Sequence, residues 1–402
     1  MSNTQKKNVP ELRFPGFEGE YSLDIFGNLA TNKSDKFNPQ NENASIDIEL
    51  DCIEQNTGRL IKIYNSKEFS SQKNKFNPQN VLYGKLRPYL NKYYFTKKSG
   101  VCSSEIWVLK STKEDKLLNL FLYYFIQTKR YSDVASKSAG SKMPRADWGL
   151  IENIRVYFPE LCEQQKIGKF FSKLDRQIEL EEQKLELLQQ QKKCYMQKIF
   201  SQELRFKDDN GNDYPEWEEK KLGELSQIVR GASPRPIKDP KWFNKESDIG
   251  WLRISDVTDQ NGKIYHLEQK LSIEGQEKTR VLLTTHLLLS IAASIGKPVM
   301  NFVKTGVHDG FLIFLNPKFN IFFMYYWLDY FKEKWSKYGQ PGSQVNLNSE
   351  IVKSQTLNMP SNHEQEKVGL FFSRNEKLIE LQQEKIMYLK RRKQALILKM
   401  FI

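Results

Sequence analysis

From Ile167 the apolar positions advance in steps of four and three: Ile167, Phe171, Leu174, Ile178, then Leu185, Leu188, Tyr195 and Ile199. The same rhythm returns 201 positions later, in Val368, Phe372, Ile379, Ile386, Leu389, Leu396 and Met400. Apolar residues at this spacing form one stripe along a helix, the a/d seam of a coiled coil. No Pro or Gly follows Gly168 or Gly369 within these stretches, and Pro159 and Pro360 suit a helix entry. Each stretch therefore predicts a rod of about 36 residues, roughly 54 Å long. Both seams are interrupted at equivalent places, Glu181/Gln382 and Lys192/Lys393. A polar seam residue costs stability and can fix register; alternatively such long side chains snorkel out of the seam. The simplest partner for each rod is the other one, packed antiparallel.

The rods belong to a longer repeat. Pro159–Ser172 returns as Pro360–Ser373, sharing Glu-Gln-x-Lys, a glycine and Phe-Phe-Ser, and over the full rods roughly 16 of 42 positions are identical. Elsewhere the repetition is looser: Glu11-Leu12-Arg13-Phe14 returns as Glu203-Leu204-Arg205-Phe206, and Tyr123-Tyr124 resembles Tyr325-Tyr326. A period near 200 residues is too long for a solenoid and reads as a duplicated domain pair with an internal pseudo-two-fold. The predicted division is 1–158 globular, 159–200 helix, 201–358 globular and 359–402 helix. Close agreement in the helices and poor agreement in the globular parts point to one shared task for the helices and variants of another for the rest.

The globular parts alternate short apolar runs with Gly/Pro turns, which predicts an α+β architecture. Strand candidates are Val81–Tyr83 and Ile106–Leu109 in the first part, and Gly250–Ile254, Leu287–Ser290 and Phe311–Leu315 in the second. Helices are expected at Leu117–Tyr131 and about Phe322–Trp335. The aromatic stripes Phe121/Tyr124/Phe125 and Phe323/Tyr326/Trp327 read as core rather than as base-stacking platforms.

Charge narrows the class of partner. With 62 Lys+Arg against 49 Asp+Glu the 402-residue chain carries +13, and on a folded protein that surplus favours a polyanion. A hydrophobic content of 39% excludes a disordered chain, and no apolar run is long enough for a membrane span or a secretory signal. The four scattered cysteines form no Cys-x-x-Cys pair, which fits a reducing cytoplasm. Basic and amide residues collect in probable loops: Lys85, Arg87, Lys142 and Arg145 in the first part, and Arg230, Ser233, Arg235, Gln344, Asn346 and Asn348 in the second. Arginine can bridge guanine N7 and O6, and asparagine or glutamine can bridge adenine N6 and N7, so these are the candidate DNA contacts. Singly, each is more often a plain surface residue than a base contact.

Catalytic patterns are missing. There is no phosphate-binding loop, dinucleotide fingerprint, His-Glu-x-x-His or Gly-x-Ser-x-Gly. The four histidines show no metal-ligand spacing, and His308-Asp309 reads as a structural pair. Asn38-Pro39-Gln40 and Asn77-Pro78-Gln79 are similar to the adenine-methyltransferase motif but lack its second proline and aromatic residue, so they read as turns.

Taken in order, the repeated rod openings, Gly223-Glu224-Leu225 with Arg230-Gly231-Ala232-Ser233-Pro234, Trp251-Leu252-Arg253-Ile254-Ser255-Asp256-Val257, and Gly342-Ser343-Gln344 resemble the specificity subunit of type I restriction-modification systems. The resemblance spans essentially the whole chain and adds Arg253 to the candidate contacts. It implies two target-recognition domains, each reading half of a split double-stranded DNA site. It also implies helices that space them and dock two methyltransferase subunits, with restriction/motor subunits joining through those. On this view the chain itself is no enzyme. S-adenosylmethionine, ATP and Mg would serve partner subunits of a cytoplasmic site-specific endonuclease and adenine methyltransferase. The first part departs from the pattern, because Gly27-Asn28-Leu29-Ala30-Thr31 lacks the following Gly-x-x-Pro turn. The competing readings are a single-chain nuclease or methyltransferase with duplicated DNA-binding domains, and a coiled-coil scaffold that binds no DNA.

Overall fold

The two long apolar stripes are helices of 40 residues, Leu161–Phe200, and 39 residues, Asn362–Met400. In the computed structural model the described residues are 8–68, 70–137, 142–292, 295–338 and 347–402. The chain divides into two compact units, Met1–Gln183 with Gln383–Ile402, and Lys184–Gln382. Each unit thus holds one globular part and a segment of each long helix.

In the first unit β1 (Ser22–Ile25) pairs with β10 (Arg155–Phe158), tying the globular part's entry to its exit. The core sheet has the order β2 (Ala30–Thr31), β9 (Ile106–Ser111), β6 (Val81–Gly84), β7 (Tyr93–Phe95). A second sheet runs β3 (Lys36–Phe37), β5 (Lys73–Phe76), β8 (Gly100–Cys102), β4 (Asp47–Ile48). The second unit repeats this plan. Here β11 (Glu218–Lys221) pairs with β20 (Thr356–Met359). The larger sheet is β12 (Gln227–Arg230), β19 (Phe311–Leu315), β16 (Leu287–Ser290), β17 (Pro298–Asn301), β14 (Lys263–Ile264). The smaller is β13 (Gly250–Leu252), β18 (Thr305–Val307), β15 (Arg280–Leu282). In the second sheet of the first unit the inner strand β8, and in the smaller sheet of the second unit the central strand β18, each have one parallel and one antiparallel neighbour. Sheet connectivity therefore preserves a duplication that is faint in the globular sequences.

The repeated helix opening is a set of anchors. Glu163 and Glu364 are buried and hold Arg13 (2.7 Å) and Arg205 (2.9 Å). The Gln164 and Gln365 side-chain carbonyls accept from the Leu118 and Asn320 backbone N–H groups, while their amides donate to the Pro159 and Pro360 carbonyls. A Cβ on Gly168 would lie 2.7 Å from Leu120, and one on Gly369 3.0 Å from Phe322, so both glycines admit a neighbouring helix at close range. Ser172 and Ser373 bond Tyr124 and Tyr326. The shared closing phenylalanines finish the two cores: Phe401 packs on Phe121 and Phe171, and Phe200 on Phe323 and Phe372.

Within each unit the long-helix segments pack antiparallel. In the first, Phe171 meets Phe401, Asp175 meets Lys393 and Glu181 meets Lys385. In the second, Lys192 meets Glu376 and Tyr195 meets Phe371. Ile167, Phe171, Leu174, Ile178, Val368, Phe372, Ile386 and Leu389 are buried, whereas Leu185, Leu188 and Ile379 are half-buried. The heptad reading needs one correction: beyond Lys192 and Lys393 the stripe steps by four, to Met196 and Ile397, leaving Tyr195 and Leu396 half-buried. A step of four after another step of four is the drift of a straight helix against a strict heptad. Lys192 and Lys393 do not snorkel. They keep 15% and 10% side-chain exposure and pair with carboxylates.

Two element boundaries also differ from expectation. The helix expected over Leu117–Tyr131 is two, Asn119–Phe125 and Lys129–Ala135, because the Thr128 side chain caps a new N-terminus. The strand expected to Ile254 stops at Leu252, where Asp256 accepts the Arg253 N–H and starts a short helix over Ile254–Asp259. The aromatic stripes are buried, and both Asn-Pro-Gln segments are turns.

Candidate nucleic-acid interface

In the first unit two basic loops become one surface. Lys85 follows β6; its N–H donates to the Glu105 carbonyl, and its own carbonyl accepts the Ala146 N–H. A bridge links Leu86 to Arg145, and the Arg87 N–H donates to the Pro144 carbonyl at 2.7 Å. The backbones of Lys85, Arg87 and Arg145 are thus neighbours, and Arg87 and Arg145 are exposed, with Lys142 exposed on the same loop as Arg145. Arg87 holds φ of 52°, a left-handed conformation uncommon for a residue other than glycine. Arg145 is gripped on two nitrogens by Glu105, at 3.0 and 3.1 Å.

In the second unit Gly231 lets the loop after β12 cross the turn between β18 and β19, since a Cβ there would sit 2.2 Å from the His308 carbonyl. Hydrogen bonds from the Gly231 N–H to the Phe311 carbonyl and from the Ala232 N–H to the Val307 carbonyl fix the crossing. Three predicted residues then converge on Asp309. The Ser233 hydroxyl donates to its carboxylate at 2.8 Å, Arg235 pairs with it at 2.7 Å, and the Arg230 Nε donates to its carbonyl at 2.6 Å. Arg280, which the sequence did not suggest, donates to the Arg230 carbonyl.

Partial burial works against the Asp309 charge, but Ser233, His308, Arg235 and Arg230 together hold its carboxyl below the ordinary range. Burial lowers the affinity of His308 for a proton, and its Nδ1 accepts the Gly310 N–H at 2.8 Å.

Arg253 lies one residue past the Leu252–Val307 ladder contact, with its guanidinium on Asp256 at 3.0 Å. Asn348 caps the helix Ser349–Ser354, its side-chain carbonyl accepting the Ile351 N–H, so that oxygen serves the fold. Gln344 and Asn346 lie outside the described residues. Sequence reasoning missed the acidic partner Glu105 and read Asp309 only as half of a structural pair with His308, not as the partner of the basic loop. The signal for both was an acidic residue in a short turn between two apolar runs of a basic chain.

Among the described residues no group of side chains is placed to hold a metal ion, and no helix is long and apolar enough to cross a membrane. The model of the Type I restriction modification DNA specificity domain matches the chain twice, over residues 20–190 and 214–391. The MjaVIII type I restriction enzyme specificity subunit of Methanocaldococcus jannaschii is 26% identical over 310 residues, covering 72% of this chain and 71% of its own length. Among solved structures, a chain from a study of assembly and conformational transition in the type I restriction-modification system is similar at TM-score 0.60. It is 17% identical over 94% of this chain and 96% of its own. The type I restriction-modification S subunit of M. genitalium is similar at TM-score 0.57 and 14% identity, over 98% of this chain and 99% of its own. With two domain matches that each cover one globular part and much of its following helix, the chain belongs to the family of type I restriction-modification DNA specificity subunits.

Proposed function

We propose that this chain is the DNA-reading subunit of a type I restriction-modification complex, with each globular part reading one half of a bipartite site. The observation that carries this is the contrast inside the duplication. The two units share sheet connectivity and helix anchors, Glu163 with Arg13 and Glu364 with Arg205, while their exposed basic loops differ. Common anchors with different loops suit two readers of different sequences on one framework. Arginine, serine and amide side chains on these loops have the donors and acceptors to read base edges and the charge to hold phosphates.

In this reading the long helices space the readers and dock two methyltransferase subunits, through which restriction/motor subunits join. The chain contributes recognition, and S-adenosylmethionine, ATP and Mg serve the partner subunits in the cytoplasm. The test is to co-express the chain with its co-encoded methyltransferase and map methylated adenines. A split motif with an unread spacer is expected, with no methyl transfer by the purified chain alone. Methyl transfer by the isolated chain would favour the single-chain enzyme instead.

A further inference from the structure

In the first unit an arginine of the globular part is tied to both long helices. The Arg59 guanidinium pairs with Glu182, on the helix Leu161–Phe200, at 2.5 Å. The other oxygen of Glu182 takes Lys390, on the helix Asn362–Met400, at 2.6 Å. From behind, the Arg59 Nε donates to Glu54 at 3.0 Å, and Glu54 also accepts from the Thr57 hydroxyl. Arg59 stands at the base of a hairpin closed by the Ile53–Leu60 bridge and by the Glu54 N–H on the Arg59 carbonyl.

The tip of this hairpin is fixed to the segment that follows Arg87. Gln55 bridges Lys92, the Asn56 N–H donates to the Asn91 carbonyl, and the Asn91 side-chain amide donates to the Asn56 side chain at 3.0 Å. Gly58, at φ 71°, leaves no room for a Cβ beside the Tyr123 hydroxyl. Asn91 and Lys92 come directly after the turn Pro88–Leu90, which Arg87 opens. Contacts therefore run from the basic loop at Arg87, through residues 88–92 and the hairpin, to Arg59 and the long helices.

A cleft of about 760 Å³, lined by Tyr93, Tyr123, Ile178 and Ile397, parts the hairpin from the helices, and the Arg59–Glu182 pair crosses it. Stability does not account for the pair. The two side chains keep 30% and 22% exposure, and ion pairs in contact with water contribute little. Nor is it one of the shared anchors. Glu163, Gln164 and Asp175 recur as Glu364, Gln365 and Glu376, whereas the counterpart of Glu182 is the uncharged Gln383. Glu182 lies about 10 Å further along its helix than Asp175. A second fixed point at that distance restrains the tilt of the globular part about the first.

We infer that Arg59 is a positioning residue: it holds the first globular part at one angle to the long helices, and so narrows the spacer length that the complex accepts. This rests on the DNA-reading function proposed above.

The test uses the chain assembled with its methyltransferase, carrying Arg59→Gln or Arg59→Lys. Methyl transfer is measured on duplexes that hold both half-sites with the native spacer, or with a spacer one base pair shorter or longer. Arg59→Gln is expected to lower the preference for the native spacer about fivefold, the factor that one partly exposed ion pair is worth, with both half-sequences unchanged. Arg59→Lys keeps the charge and should retain most of the preference. If Arg59→Gln fails to assemble, Glu182→Gln removes the same pair from the helix side and should show the same loss. An unchanged preference in the assembled variants, or an equal loss on every duplex as a merely structural contact would give, would overturn the inference. A wild-type complex with no split motif would instead contradict the DNA-reading function itself.

Discussion

The Lys393 ammonium lies 2.6 Å from the Asp175 carboxylate, and at the equivalent position 201 residues earlier Lys192 lies 3.3 Å from Glu376. The acids also accept from Tyr124 and Tyr326, on the helices Asn119–Phe125 and Ile321–Phe331. Each junction joins both long-helix segments of its unit to its globular part. These are the polar seam positions that sequence alone marks as costly, and their partners show what they fix.

The two junctions should respond unequally to loss of the lysine. Glu376 has a second cation, Lys263 at 2.5 Å, whereas Lys393 is the one ion-pair partner of Asp175 among the described residues. Lys393→Met should therefore destabilise the first unit by about 1–3 kcal/mol, the cost of leaving a partly buried polar group unpaired, since the Asp175 side chain keeps 24% exposure. Lys192→Met should cost about half that or less. Urea unfolding of both variants checks the order.

Acid should weaken the second junction. Burial raises the affinity of Glu376 for a proton, but Lys192, Lys263 and the Tyr326 hydroxyl outweigh it and hold the carboxyl below its ordinary range. A carboxyl depressed by folding stabilises above its unfolded pKa of about 4.3, and that contribution is lost as pH falls through the lower folded value. Unfolding midpoints measured from pH 6 down to about pH 3 should fall less steeply in Glu376→Gln than in the parent.

The two shared helix glycines should differ in tolerance. A Cβ on Gly168 meets the Leu120 side chain, which can give way, while one on Gly369 meets the Phe322 Cβ and the Phe323 backbone nitrogen, both at 3.0 Å. Gly369→Ala should cost about 1–3 kcal/mol through overpacking. Gly168→Ala should cost less, its clash offset by the better helix propensity of alanine. Thermal unfolding of the pair checks this.

Four residues inserted after Glu182 would add about 6 Å of helix and rotate the downstream chain by about 40°. If the helices set the spacing, the methylated motif should keep both half-sequences and gain a longer unread spacer, or assembly should fail. An unchanged spacer with unchanged affinity would assign the spacing to the methyltransferase subunits.

Much of the fold was legible because its signals are local. Val81–Tyr83, Ile106–Leu109, Leu287–Ser290 and Phe311–Leu315 are short apolar runs between turns, and each lies within a strand. The helix stripes were equally plain. The break before Lys129 and the early end of the strand at Leu252 turn on single capping side chains, Thr128 and Asp256, which periodicity ignores. The candidate interface was legible as basic loops but not as an assembly. Arg235 and Asp309 are 74 positions apart and Arg145 and Glu105 are 40, and only the folded sheets bring them together. The reason for the Glu-Gln and Gly signals in the helix openings was hidden for the same cause, since Glu163 meets Arg13 across 150 positions.

The most direct test of the central claim exchanges residues 15–155 for the first globular part of another family member and maps methylated adenines in the assembled complex before and after. The account predicts that one half of the split motif changes while the other half is kept. A change in both halves, or in neither, would contradict two independent readers on a common framework.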